Sequence, residues 1–177
     1  MSVLEVLTYP DVRLKKRSEE VSQFDDDLRQ FVADLQETMD GGPPSVGIAA
    51  PQVNRFQRIV IVDVSGMLAQ AKQRKRRIKS SNNGRLCLVN PKITRAEGQV
   101  SGREGCLSVP DYTGNVLRAS RITLFAQNTE GEAREYECSG FEARAVQHEL
   151  DHLDGLLFLD RLVSSNELFR RQVYKLT

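Results

Sequence analysis

The chain has 177 residues, with 25 Lys and Arg against 24 Asp and Glu, a net charge of +1, three cysteines and two histidines. That length is enough to bury a sizeable core in one domain spanning 1–177 without cross-links. An odd cysteine count behind an N-terminal stretch with no apolar leader argues against a disulfide scaffold and for a reduced, cytoplasmic setting. No run reaches the roughly 18 apolar residues of a membrane span, and near-neutral charge gives no reason to expect a DNA-binding chain.

The first predicted element is a helix in DDDLRQFVADLQETMDGGPP (25–44), where Leu28, Phe31, Val32, Leu35 and Met39 form one stripe. Its acidic start suits the positive end of the helix dipole, and Gly41, Gly42, Pro43 and Pro44 stop it. SVGIAAPQV (45–53) follows, a run of small residues that lets one backbone approach another before Gln52. RIVIVDV (58–64), RLCLVNP (85–91), RITLFAQN (121–128) and REYECSG (134–140) are short, branched or aromatic, and bounded by turn residues; they read as strands. Long helical patterns between them are missing, so the strands are expected to be antiparallel.

Between the first two strands lies KQRKRRIK, whose six positive charges leave the rest of the chain at −5. Such a block is expected to be a solvated loop, with RNA contact as the sharper alternative. Ser139 and Glu142 have the spacing of a capping box, which predicts a helix from about Phe141 to Asp154, stopped at Gly155. A second box, Ser164 to Glu167, predicts a short C-terminal helix that docks through Leu168, Val173 and Leu176. The expected fold is α+β: mainly antiparallel short strands packed around a central helix bearing an HExxH motif, with an N-terminal and a C-terminal helix.

That motif is His148-Glu149-Leu150-Asp151-His152, and it uses both histidines of the chain. Positions i and i+4 project from one helix face, so the two imidazoles can reach one ion while Glu149 stays free to move a proton. A catalytic ion normally has three protein ligands and one open position. The third ligand is either Cys106, in REGCLSVP, or Glu167, downstream. Cys87 and Cys138 sit in strand-like apolar contexts and are expected to be packing residues. The Gln52 amide is of the kind that donates to an oxyanion.

Taken in order, SVGIAAPQ, EGCLS and QHELDHLDG resemble the three motifs of the peptide deformylase family, over most of the stretch from Ser45 to Leu162. The resemblance implies that Cys106, His148 and His152 hold Fe²⁺, with Zn²⁺, Ni²⁺ or Co²⁺ as substitutes. It also implies that Glu149 is the acid/base and that Gln52 and the Leu107 N–H face the oxyanion. The implied reaction releases formate from N-formylmethionyl nascent peptides, with transient ribosome contact and a monomeric protein. Phe141 and Ala145, seven and three residues before His148, are expected to wall a methionine slot, with the formyl group between Gly47 and Leu107. Three features depart from the family pattern: Ser45 in place of a common glycine, Thr113 in place of a common arginine, and a longer, more basic segment over 65–85. Two other readings remain at this point: an HExxH peptidase using Glu167 as third ligand, and a silent RNA- or ribosome-binding relative using Lys72 to Lys79.

Overall fold

The computed structural model describes residues 3–171. Helix α1 (Asp26–Gly41) begins where the Asp25 side chain accepts a hydrogen bond from the Leu28 N–H at 3.0 Å, with Asp26 and Asp27 in the first turn. It ends at the Gly-Gly-Pro-Pro stretch, and all five residues of its apolar stripe are buried. Strands β1 (Gly47–Ala49), β2 (Ile59–Val62), β3 (Leu86–Glu97), β6 (Arg121–Gln127) and β7 (Ala133–Ser139) form one sheet in the order β1-β2-β3-β6-β7. Every pairing in it is antiparallel, as expected.

Strand β2 explains why four consecutive apolar residues are needed at 59–62. All four are buried, because both faces of the sheet are covered. Ile59 and Ile61 pack with the α1 stripe, Ile48 and Val89. Val60 and Val62 pack with Leu88, Leu124 and the apolar side of helix α3 (Gly140–Leu153). Each such side chain contributes about 1.5–3 kcal/mol of apolar burial, which clamps the sheet between the two helices and fixes α3 in place.

A second sheet, of β4 (Val100–Cys106), β5 (Val109–Arg118) and β8 (Leu168–Arg170) in that order, carries the other half of the site. Strands β4 and β5 form a hairpin whose register shifts between Gly105 and Cys106, so that Cys106 pairs with Val109. Cys106 is buried there among Leu7, Leu14, Val116 and Phe158. Cys138 is buried in the larger core and Cys87 packs half-buried against the α1 cluster, which agrees with their reading as packing residues. Burial pushes the Cys138 thiol up to about 12 and the Cys87 thiol up to about 11.

Three expectations need correction. The capping box of Ser139 and Glu142 does not form: the Ser139 side chain makes no cap hydrogen bond. Instead the Ser80 hydroxyl accepts from the Glu142 N–H at 2.9 Å, and the Lys79 carbonyl accepts from the Phe141 N–H at 3.2 Å. The Glu142 carboxylate turns to the Ser81 hydroxyl and to the backbone and side-chain amides of Asn83. Gly140, with φ +61°, lets this stretch lie against the helix start, because a Cβ there would collide with the Lys79 carbonyl. The helix is therefore capped by a distant segment, and its predicted bounds still hold to within a residue.

The second correction concerns the C-terminus. After a 3-10 turn at Ser165–Glu167 the chain forms strand β8 (Leu168–Arg170), which pairs with β5 through Thr113 and Phe169. Leu168 is thus on a strand, where the edge of β5 supplies the hydrogen-bonding partner that a helix would have to find within itself; Val173 and Leu176 lie outside the described residues. Third, the connection between β2 and β3 is not loop throughout. Helix α2 (Ser65–Gln73) occupies its first half, and Lys72 lies in the last turn. The basic residues from Lys72 to Lys79 form no ion pair among the described residues. No helix among the described residues is long and apolar enough to cross a membrane.

Candidate metal centre

Helix α3 and the end of β4 bring together the Cys106 thiol and the imidazoles of His148 and His152. One donor atom from each lies within 4.8 Å of the others, and all three residues are buried. The Cys106 Sγ to His152 Nε2 distance is 3.2 Å. Glu167 is not among them: its carboxylate accepts a hydrogen bond from the Asn115 side chain on β5. The geometry therefore groups Cys106, and not Glu167, with the two histidines.

The donors are oriented from behind by charges that the sequence did not single out. His148 Nδ1 lies 2.9 Å from Glu104 Oε2, so the opposite ring nitrogen is free to face the shared centre. Glu104 also accepts from Arg118 twice, at 3.0 Å each, and from Arg144 Nη1 at 2.8 Å. Arg118 in turn reaches Asp151 at 2.6 Å, within the HExxH stretch itself. Burial alone would raise the Glu104 carboxyl, but hydrogen bonds from His148 and Arg118 hold it at about 2. Glu104 sits inside EGCLS, yet its role is visible only once β4 lies against α3.

The electrostatics favour a cation. Burial opposes ionisation of Cys106, but the imidazoles of His152 and His148 hold its thiol well below the ordinary range. Burial likewise opposes charge on His148, and the Cys106 thiolate and the Glu104 carboxylate overcome it, raising the imidazole well above its usual value. The two shifts are one coupling: the imidazoles hold the thiolate, and the thiolate with Glu104 holds the proton on His148, so a positive charge among the three donors is stabilised. A soft thiolate and two borderline imidazoles around such a charge fit a divalent transition metal.

Glu149 is buried, and its Oε2 has no hydrogen-bond partner among the described residues. Burial pushes its carboxyl up to about 7. A Cβ on Gly47 would meet the Glu149 carboxylate carbon at 2.8 Å, so a side chain there would push this acid from its place. The Gln52 amide is fixed in one orientation: its oxygen accepts from the Ala49 N–H at 2.8 Å, which requires Nε2 to point the other way, toward Ser108 Oγ at 3.0 Å and Cys106 Sγ at 3.6 Å. A cavity of about 680 Å³ opens over these groups. Gly47, Gln52, Leu107 and Glu149 line it near the donors, and Phe141 and Ala145 line it along α3. Ser45 and Thr113, two of the positions that depart from the family pattern, line it as well. The unexpected helix α2 contributes Gly66, Met67 and Gln70 to the same wall.

Glu104→Gln keeps size but removes the charge that orients His148 and balances two buried guanidinium groups. The expected result is a loss of about 10–100-fold in metal affinity, with about 3–5 kcal/mol of stability lost through the broken buried pairs. Chelator competition and urea unfolding on the same variant measure the two effects separately.

Comparison with known proteins agrees with this geometry. The family described as polypeptide deformylase matches residues 3–167. The peptide deformylase of Thermodesulfovibrio yellowstonii is 37% identical over 97% of this chain and 97% of its own. That of Alkalilimnicola ehrlichii is 42% identical over 98% of this chain and 88% of its own. Among solved structures, the Thermotoga maritima peptide deformylase has a TM-score of 0.80 at 34% identity, covering 93% of this chain and 100% of that one. The Ehrlichia chaffeensis enzyme in complex with actinonin has a TM-score of 0.82 at 35% identity, covering 94% and 92%. The chain belongs to the peptide deformylase family, metal-dependent hydrolases that remove N-formyl groups from nascent peptides.

Proposed function

We propose that Cys106, His148 and His152 hold one Fe²⁺ per chain, with Zn²⁺, Ni²⁺ or Co²⁺ as substitutes, and that the site deformylates N-formylmethionyl peptides. The convergence of one thiol and two imidazoles beside an unpartnered buried carboxylate carries this reading. A divalent cation bound there supplies Lewis acidity, acidifying a water and polarising the formyl oxygen.

Glu149 takes the water proton as the oxygen attacks the formyl carbon, then returns it to the α-nitrogen as the C–N bond breaks. Formate and a free α-amine result. Its burial-raised pKa keeps proton affinity near neutrality, where both transfers are feasible, and a bound cation draws it back toward the carboxylate form. Negative charge on the formyl oxygen is met by Gln52 Nε2, whose direction the Ala49 N–H has already set, and by the Leu107 N–H. Each such donor is worth about 2.7–4 kcal/mol in the transition state. Phe141 and Ala145 form the wall for the methionine side chain, and the helix carrying both histidines is the central element around which the strands are arranged.

In this reading the protein acts as a monomer in the cytoplasm, on nascent peptides, the substrates of its family. The six cations from Lys72 to Lys79 lie outside this machinery. Replacing them with Ser or Gln should leave formate release and ribosome co-sedimentation unchanged, because the segment meets helix α3 through the Lys79 backbone carbonyl, which substitution retains, and its side chains form no ion pair among the described residues.

The substrate assignment is tested by comparing formyl- and acetyl-methionyl peptides. Gly47, Glu149 and Leu107 crowd the position of the acyl group, so one added methyl should slow cleavage by about 10-fold or more. Equal rates would indicate a general amidase instead.

A further inference from the structure

Four arginines line the cavity, and they fall into two kinds. Arg85 is tied to Asp40 and Asp63, and Arg144 to Glu104 and backbone carbonyls. Arg103 and Arg171 form no ion pair among the described residues. Arg103 is nevertheless held in place by neutral groups alone. Its Nε donates to Asn115 Oδ1 and its Nη1 to Thr113 Oγ1, both at 3.1 Å, and its guanidinium lies 3.7 Å from the centre of the Phe169 ring.

Arg171 reaches the same spot from the chain after β8. Its backbone N–H donates to the Asp111 carbonyl at 2.8 Å, and its Nη2 lies over Gly105, where a Cβ would collide with it. The Thr113 side chain also touches that position, with Cγ2 3.4 Å from where the Cβ would be. Two guanidinium groups thus stand at the rim of the cavity, Arg103 three residues before Cys106 on β4 and Arg171 over Gly105, and neither is ion-paired among the described residues; the nearest carboxylate tied to them is Glu167, which Asn115 links to Arg103. Such planar, pre-set forks match a carboxylate bidentately.

We propose that Arg103 and Arg171 form a carboxylate-binding subsite that favours substrates with Asp or Glu within the three residues after methionine. This rests on the deformylase reading of the site. An extended peptide advances about 3.3 Å per residue, so a chain anchored by its formyl end at Cys106 passes this rim within a few residues. The carboxylate of a very short peptide's own C-terminus has the same chemistry, and blocked peptides separate the two sources.

The test uses the metal-loaded enzyme and C-terminally amidated formyl-methionyl peptides carrying Asp or Asn at the second, third or fourth residue. Asp should be preferred over Asn by about fivefold in kcat/KM at low ionic strength at one or more positions, expressed in KM and fading with salt. The double variant Arg103→Gln, Arg171→Gln should bring that ratio to one, and Arg103→Lys should keep part of it by retaining charge without the fork. A ratio of one at all three positions in the wild-type enzyme, with formate released normally, overturns the inference alone. A preference that persists in the double variant overturns the role of these arginines, and one seen only with a free C-terminus overturns the assignment to a side chain. No formate from any peptide removes the deformylase reading and this inference with it.

Discussion

Glu149→Gln should lower formate release by about 10²–10⁴-fold while the bound metal stays at its wild-type level. The amide keeps the size of the acid and its place on α3 but cannot take a proton. None of the three donors depends on it, because His148 is oriented by Glu104 and Cys106 sits on the hairpin across the cavity. The loss should fall on kcat if, as proposed, Glu149 acts on the reacting atoms and not on the peptide beyond them. Single-turnover formate release beside elemental analysis of the same sample reads both quantities. Near-wild-type turnover would show that another group moves the proton, and joint loss of metal and activity would make Glu149 part of the binding site.

Cys106→Ala should lose the metal and, with it, activity down to background. Two imidazoles on one helix cannot complete a catalytic site that needs three protein ligands, so the loss in affinity should exceed the roughly 10–100-fold that removal of an orienting partner costs. Glu167→Ala is the control. Its carboxylate is engaged by Asn115 and lies outside the donor cluster, so metal content should be unchanged. Metal retention in Cys106→Ala with loss in Glu167→Ala would return the protein to the HExxH peptidase reading.

What could be read from the sequence were the features that repeat locally. The α1 stripe, the four apolar-rich strands and the i, i+4 histidines each need only a few neighbouring residues to be recognised, and the structure places them where periodicity puts them. Cys106 was separable from Cys87 and Cys138 by its glycine and serine neighbours. The Glu104, Arg118, Arg144 and Asp151 network was invisible for the opposite reason: its hydrogen bonds join residues 14 to 40 apart. Only the docking of β4 and β5 on α3 makes four charged residues into a buried set. Helix α2 has a single buried residue, Ala71, so no apolar stripe announced it. Strand β4 mixes polar residues with glycines, β5 carries Pro-Asp at its start and Thr-Gly-Asn in its middle, and neither has the branched run that marks β2. The two capping boxes failed because their glutamates found partners in distant segments, Glu142 with Ser81 and Asn83 and Glu167 with Asn115, while neither serine side chain caps its helix start.

The central claim is that Cys106, His148 and His152 bind one metal ion and that this ion, with Glu149 beside it, removes a formyl group. Titrating metal-free protein with Fe²⁺ under anaerobic conditions, while formate release from a formyl-methionyl peptide is followed, tests both halves together. Formate release should rise in proportion to added metal and level off at one equivalent per chain. Full activity in the metal-free protein, or saturation that needs two equivalents, would contradict the account.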